Sequence, residues 1–144
     1  APGLTSAPAI ADYAAELLAA DGLDLTEKDS YIDSREKVHF NRLSAAERKA
    51  LIEKNPAYGR VICRCETVTE GEILDAIHSP IPPVSVDGIK RRAGAGMGRC
   101  QGGFCGPRVV DLLARELGVS PLTILQDRDG SEILTAYTKG EVRA

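Results

Sequence analysis

The residues of this 144-residue chain best suited to chemistry are four cysteines in two close pairs. Cys63 and Cys65 form a Cys-x-Cys unit; Cys100 and Cys105 form a Cys-x₄-Cys unit after 34 intervening residues. Four thiolates from two loops are a ligand set for either a [2Fe–2S] cluster or a structural zinc ion. Three features favour iron–sulfur. In an extended segment residues i and i+2 point to one side, so Cys63 and Cys65 can face one cofactor. Paired zinc cysteines more often have two to four residues between them. Gly94, Gly96, Gly98, Gly102, Gly103 and Gly106 crowd the second pair. Glycine lets backbone N–H groups approach an anionic cluster closely. A helix starting at Pro107 would aim its positive dipole end at the cluster, and Arg64 and Arg99 add charge beside ligand cysteines.

The elements that must position these residues are short. Ile10, Tyr13, Ala14, Leu17 and Leu18 recur at helical spacing, so Ser6 to Ala20 reads as a helix closed by Asp21-Gly22. Little periodicity follows until Ser44-Ala-Ala-Glu47, a capping box that opens a helix over 45–54. Pro56 stops it. Arg60 to Cys65 reads as extended. Thr69-Glu-Gly-Glu72 is a second capping box, for a helix reaching about His78. Ser85 caps a helix over 86–93. The glycine-rich loop 94–106 follows, then a helix from Pro107 to Leu117 closed by Gly118. Another short helix is expected over 121–126, and Ile133 to Thr138 reads as a strand.

Bulk properties exclude several classes. The net charge of −3 lacks the basic surface that nucleic acid needs. No apolar run is long enough to cross a bilayer, and no leader peptide is visible, so a cytoplasmic, reducing location is expected. There, clustered cysteines more often bind metal than form disulfides. Gly94-Ala-Gly-Met-Gly is not a dinucleotide loop, because Arg99 stands where the fingerprint needs glycine and no strand precedes it. His39 and His78 read as surface or capping residues. Lys90, Arg91 and Arg92 read as a solvated helix face.

Cys63-Arg-Cys-Glu-Thr-Val-Thr-Glu-Gly-Glu72, followed by Gly96-Met-Gly-Arg-Cys-Gln-Gly-Gly-Phe-Cys105, resembles the [2Fe–2S] domain of the bacterioferritin-associated-ferredoxin (BFD) type. The Cys-x₄-Cys spacing is similar to the version fused to flavoproteins, above all the C-terminal region of the anaerobic, FAD-dependent glycerol-3-phosphate dehydrogenases. Gly3-Leu-Thr-Ser-Ala-Pro-Ala-Ile-Ala11 resembles the last flavin-proximal loop and helix of the glycine/D-amino-acid-oxidase-like FAD fold. The resemblance implies a mainly α fold, with a helical segment left from the end of a FAD-binding domain before a small helical [2Fe–2S] domain with Cys-bearing loops. It divides the chain into a flavoprotein remnant and linker at 1–56, a BFD-like domain at 57–126 and a tail at 127–144. It implies Cys63, Cys65, Cys100 and Cys105 as cluster ligands, and Gly3, Leu4, Thr5 and Ser6 as flavin-proximal. FAD would be held only by the full-length protein, so the fragment alone would not turn over substrate. The implied activity is oxidation of sn-glycerol 3-phosphate to dihydroxyacetone phosphate. The implied partners are the chain's own FAD-binding domain and an electron-acceptor protein or subunit, through which it would reach the inner membrane peripherally. The alternative is a zinc-stabilised, non-redox module that docks the flavoprotein to a partner subunit.

Overall fold

The computed structural model describes residues 2–32, 34 and 36–139. The chain divides into two compact units, residues 1–36 and 37–144. Among its described residues the first contains one helix, α1 (Pro2–Ala20), which begins four residues earlier than the sequence periodicity suggests. Proline at a first helical position is preorganised and loses no useful N–H. The Thr5 and Ser6 hydroxyls then donate to the Pro2 carbonyl at 3.1 and 2.7 Å. Gly3, Leu4 and Thr5 are exposed and Ser6 is half-buried. Ile10, Tyr13 and Leu17 are also exposed, so this helix buries no residue of its own.

The second unit is mainly helical, with a two-stranded antiparallel hairpin. A 3-10 turn at Phe40–Arg42 leads into α2 (Ala45–Lys54), whose capping box forms as the sequence indicates. Phe40 is buried; its N–H donates to Glu72 Oε1 at 3.1 Å, and Arg48 lies over its ring at 5.2 Å. The segment before Asn55 is therefore tied into the same unit as the cysteines. After the 3-10 turn Pro56–Gly59 come β1 (Val61–Cys63) and β2 (Val68–Thr69), then α3 (Glu70–Ile77), again opened by a complete capping box. Next are α4 (Val86–Ala93), capped by Ser85, and α5 (Gly106–Leu117), closed by Gly118 in the left-handed region.

Ile73, Ile89, Leu113 and Ile124 are fully buried at the centre of the core, with Cys63 and Cys105 in the same cluster. The core thus seats one cysteine from each pair. Gly71 in α3 lies under the Tyr58 ring, and a Cβ there would come within 2.6 Å of Tyr58 Cγ. Gly71→Ala is expected to cost about 1–3 kcal/mol through this overlap. The measurement is the urea midpoint: it should fall with the m-value unchanged, and an unaltered midpoint would contradict the packing described.

Glu70 is buried between Arg60 and Arg115, and pairs with both. The Arg60 guanidinium foremost, helped by Arg115, holds its carboxyl at about 2, against an ordinary 4.5. The lowered value means stabilisation that is fully present above pH 4.5 and lost as pH falls toward 2. Both guanidinium groups are more than half exposed, so screening limits the effect to about 2 kcal/mol. Acid titration of the urea midpoint should show this loss, and Glu70→Gln should flatten the profile between those limits.

Two elements differ from expectation. The segment after Ser120 is a single 3-10 turn, Pro121–Thr123, rather than a helix to 126. No strand forms over 133–138 among the described residues; one isolated bridge joins Leu125 to Glu132. Ile133 and Leu134 instead line a groove of about 380 Å³ beside Pro107 and Val110 of α5. Their apolar surface faces a helix and finds no strand edge to pair with.

Candidate metal centre

The β1–β2 hairpin presents the first cysteine pair. Cys63 ends β1 opposite Val68, and Thr67 takes a left-handed φ of 54° as the chain reverses. Cys65 therefore sits in the turn, and the i, i+2 alternation of a strand does not place it. Cys63 is 1% exposed, whereas Cys65 is exposed.

The glycine-rich loop presents the second pair through a series of tight turns. Gly94 ends α4 with φ 83°, and its carbonyl accepts from Met97 N–H at 3.1 Å. Gln101 N–H donates to the Gly98 carbonyl at 2.8 Å, and Gly103 N–H to the Cys100 carbonyl at 3.0 Å. Gln101 holds φ 49°, a conformation unusual for a residue with a side chain. Its side-chain amide donates to the Met97 and Gly98 carbonyls at 3.2 and 3.0 Å, which fastens the turn. Cys105 immediately precedes α5 and is 2% exposed; Cys100 is half-buried.

All four cysteines line one cavity of about 380 Å³, together with Ile62, Arg64, Arg99, Phe104 and Arg108. Cys65 Sγ donates to Cys100 Sγ at 3.5 Å. Cys63 and Cys105 are both buried, within one core cluster. Among the described residues, no group of three or more His, Cys, Asp or Glu side chains is gathered tightly enough for a single metal ion. Neither histidine lines the cavity. His78 ends α3 and pairs with Glu116 at 2.9 Å, while His39 caps the Phe40–Arg42 turn.

The electrostatics differ between Cys100 and Cys105. Contact with Cys65, and then backbone N–H donation from Gly102, Phe104 and Gly103, holds the Cys100 thiol below its ordinary range. Burial, followed by the charge of Cys63, pushes Cys105 up to about 11. A thiolate so buried needs a cation beside it, which is what a metal centre supplies. Three guanidinium groups rim the mouth, and the α5 N-terminus adds a positive dipole end.

The sequence reading named Arg64 and Arg99 but missed Arg108. Its signal was available: Arg108 follows Cys105 by three residues at a helix start, which puts both on one face. It also missed the reason for Gly98. A Cβ there would lie 2.2 Å from Cys65 Cβ and 3.2 Å from its sulfur, so the two cysteine loops meet at this glycine. Of the basic run in α4, Arg91 pairs with Asp127, and Lys90 reaches Gln101 Oε1 at 3.3 Å.

Comparison with known proteins agrees with this arrangement. Residues 61–115 match the family model of the BFD-like [2Fe-2S] binding domain. A glycerol 3-phosphate dehydrogenase of Caloramator mitchellensis is 48% identical over 99% of this chain, which covers 30% of that relative. One subunit of the anaerobic glycerol-3-phosphate dehydrogenase of Escherichia coli is 35% identical over 46% of the chain and 12% of the relative. Hydrogen cyanide synthase subunit HcnB of Pseudomonas aeruginosa is 37% identical over 58% of the chain and 20% of the relative. The chain thus spans less than a third of the length of these relatives. No solved structure matches it. No helix among the described residues is long and apolar enough to cross a membrane. Over residues 61–115 the chain thus carries a segment that matches the BFD-like [2Fe-2S] binding domain.

Proposed function

We propose that Cys63, Cys65, Cys100 and Cys105 ligate the [2Fe–2S] cluster, and that the domain relays single electrons from flavin to an acceptor within a longer dehydrogenase. The observation that carries this reading is the convergence of all four cysteines, Cys65 and Cys100 in sulfur contact, on one cavity that Arg64, Arg99 and Arg108 also line. When bound, a [2Fe–2S] cluster accepts and releases one electron at a time. The chain's own residues supply the setting. The hairpin and glycine loop bring the thiolates together, the core excludes water from the inner pair, and Arg64, Arg99 and Arg108 offset the negative charge at the mouth.

We assign residues 1–56 to the end of a flavoprotein domain and its linker, with 37–56 packed in the unit that holds the cysteines, 57–126 to the cluster domain and 127–144 to its tail. Gly3, Leu4, Thr5 and Ser6 then lie toward the flavin of the longer protein, with N–H groups of the first turn of α1 available to an electron-rich ring. The substrate best supported is sn-glycerol 3-phosphate, because two of the relatives above carry that activity in their names. Its oxidation to dihydroxyacetone phosphate releases two electrons and two protons, and a one-electron carrier suits the exit path from flavin. The electron acceptor would be a partner protein or subunit, reached peripherally at the inner membrane. The test is anaerobic addition of sn-glycerol 3-phosphate to the longer flavoprotein. Bleaching of the cluster's visible bands is expected. Bands that bleach with dithionite but not with this substrate would overturn the substrate assignment.

A further inference from the structure

We propose that the site is divided by depth: Cys63 and Cys105 share a buried iron, Cys65 and Cys100 share a surface iron, and the added electron resides on the surface iron. This rests on the ligand set given above and deepens it. Sequence adjacency would pair Cys63 with Cys65 and Cys100 with Cys105. The geometry pairs them across the two loops.

The first argument is distance. Two thiolates about 2.3 Å from one tetrahedral metal lie about 3.8 Å apart. Cys65 and Cys100 are 3.5 Å apart, close to that edge, which leaves Cys63 and Cys105, both in the core cluster, for the second iron. The second argument is depth. Cys63 and Cys105 are 1% and 2% exposed and belong to the hydrophobic core, whereas Cys65 is exposed and Cys100 half-buried. An added negative charge is better solvated on the outer side.

In the step itself one electron arrives from a reductant, reduced flavin in the longer protein or dithionite in vitro. One ferric iron becomes ferrous; no bond forms or breaks and no proton moves. The electron therefore rests at the arginine-rimmed mouth, the side from which a partner can take it.

The wild-type chain, reconstituted and reduced with dithionite, allows a direct test by paramagnetic NMR of the cysteine β-protons. In a reduced, antiferromagnetically coupled cluster, β-protons on the ferric iron move toward the diamagnetic region on warming. Those on the ferrous iron move the opposite way. Cys65 is assigned through its contact with Gly98. Cys63 and Cys105 are assigned through contacts with core methyl groups. The expected result is Cys63 and Cys105 in the ferric set, with Cys65 and Cys100 in the ferrous set. Sets divided as Cys63 with Cys65 would overturn the pairing, and Cys63 with Cys105 in the ferrous set would overturn the electron's location. Failure of the wild-type chain to assemble a cluster would overturn the ligand assignment itself.

Discussion

Cys100→Ser is expected to abolish the visible absorption of the anaerobically prepared protein and to reduce its bound iron to background. Cys100 is the ligand on which the site converges. It contacts Cys65 and belongs to the turn fastened by Gln101. A serine keeps the volume but offers an alkoxide of much higher pKa, a poor ligand for ferric iron at neutral pH. The far-UV circular dichroism should stay near wild type, because the helices pack around Ile73, Ile89 and Leu113 away from the mouth. A variant that retains the full visible spectrum would remove Cys100 from the ligand set.

Gly98→Ala should be nearly as damaging to the cluster, although no ligand atom is changed. Gly98 is buried and has an ordinary negative φ, so backbone conformation does not require glycine there. Space does. The added Cβ would meet Cys65 Cβ at 2.2 Å and Glu66 Oε1 at 3.0 Å. The hairpin tip must then retreat from the glycine loop, carrying Cys65 away from Cys100. Overpacking of this kind costs about 1–3 kcal/mol, which corresponds to a loss in cluster retention of about 5- to 150-fold. Competition with an iron chelator measures it. Gly102→Ala is a useful contrast: nothing lies near its Cβ, and its φ of 85° makes the cost one of backbone strain. Unchanged retention in Gly98→Ala would contradict the contact between the loops.

Local chemistry was the legible part of the fold. Ser44, Thr69 and Ser85 each cap a helix where the sequence placed one, and Gly118 closes α5. These signals act within a few residues and need no tertiary partner. The spacing of the cysteines likewise singled out the four residues that line the cavity. What escaped depends on distant neighbours. Phe40 is fixed by a carboxylate 32 residues away, which no local pattern announces. Ile133 and Leu134 lie in a stretch that reads as a strand but instead line a groove beside α5. Gly98 looked like a means of bringing N–H groups near a cluster, and its role is to admit Cys65. Gln101 takes a positive φ because its own side chain offsets the strain of the turn by binding two carbonyls.

The central claim, a [2Fe–2S] cluster on these four cysteines, is tested most directly by the visible spectrum with iron, sulfide and zinc analysis of anaerobically purified protein. The result expected is a red-brown protein with about two irons and two sulfides per chain. A colourless protein holding one zinc, which resists iron–sulfur reconstitution, would contradict it.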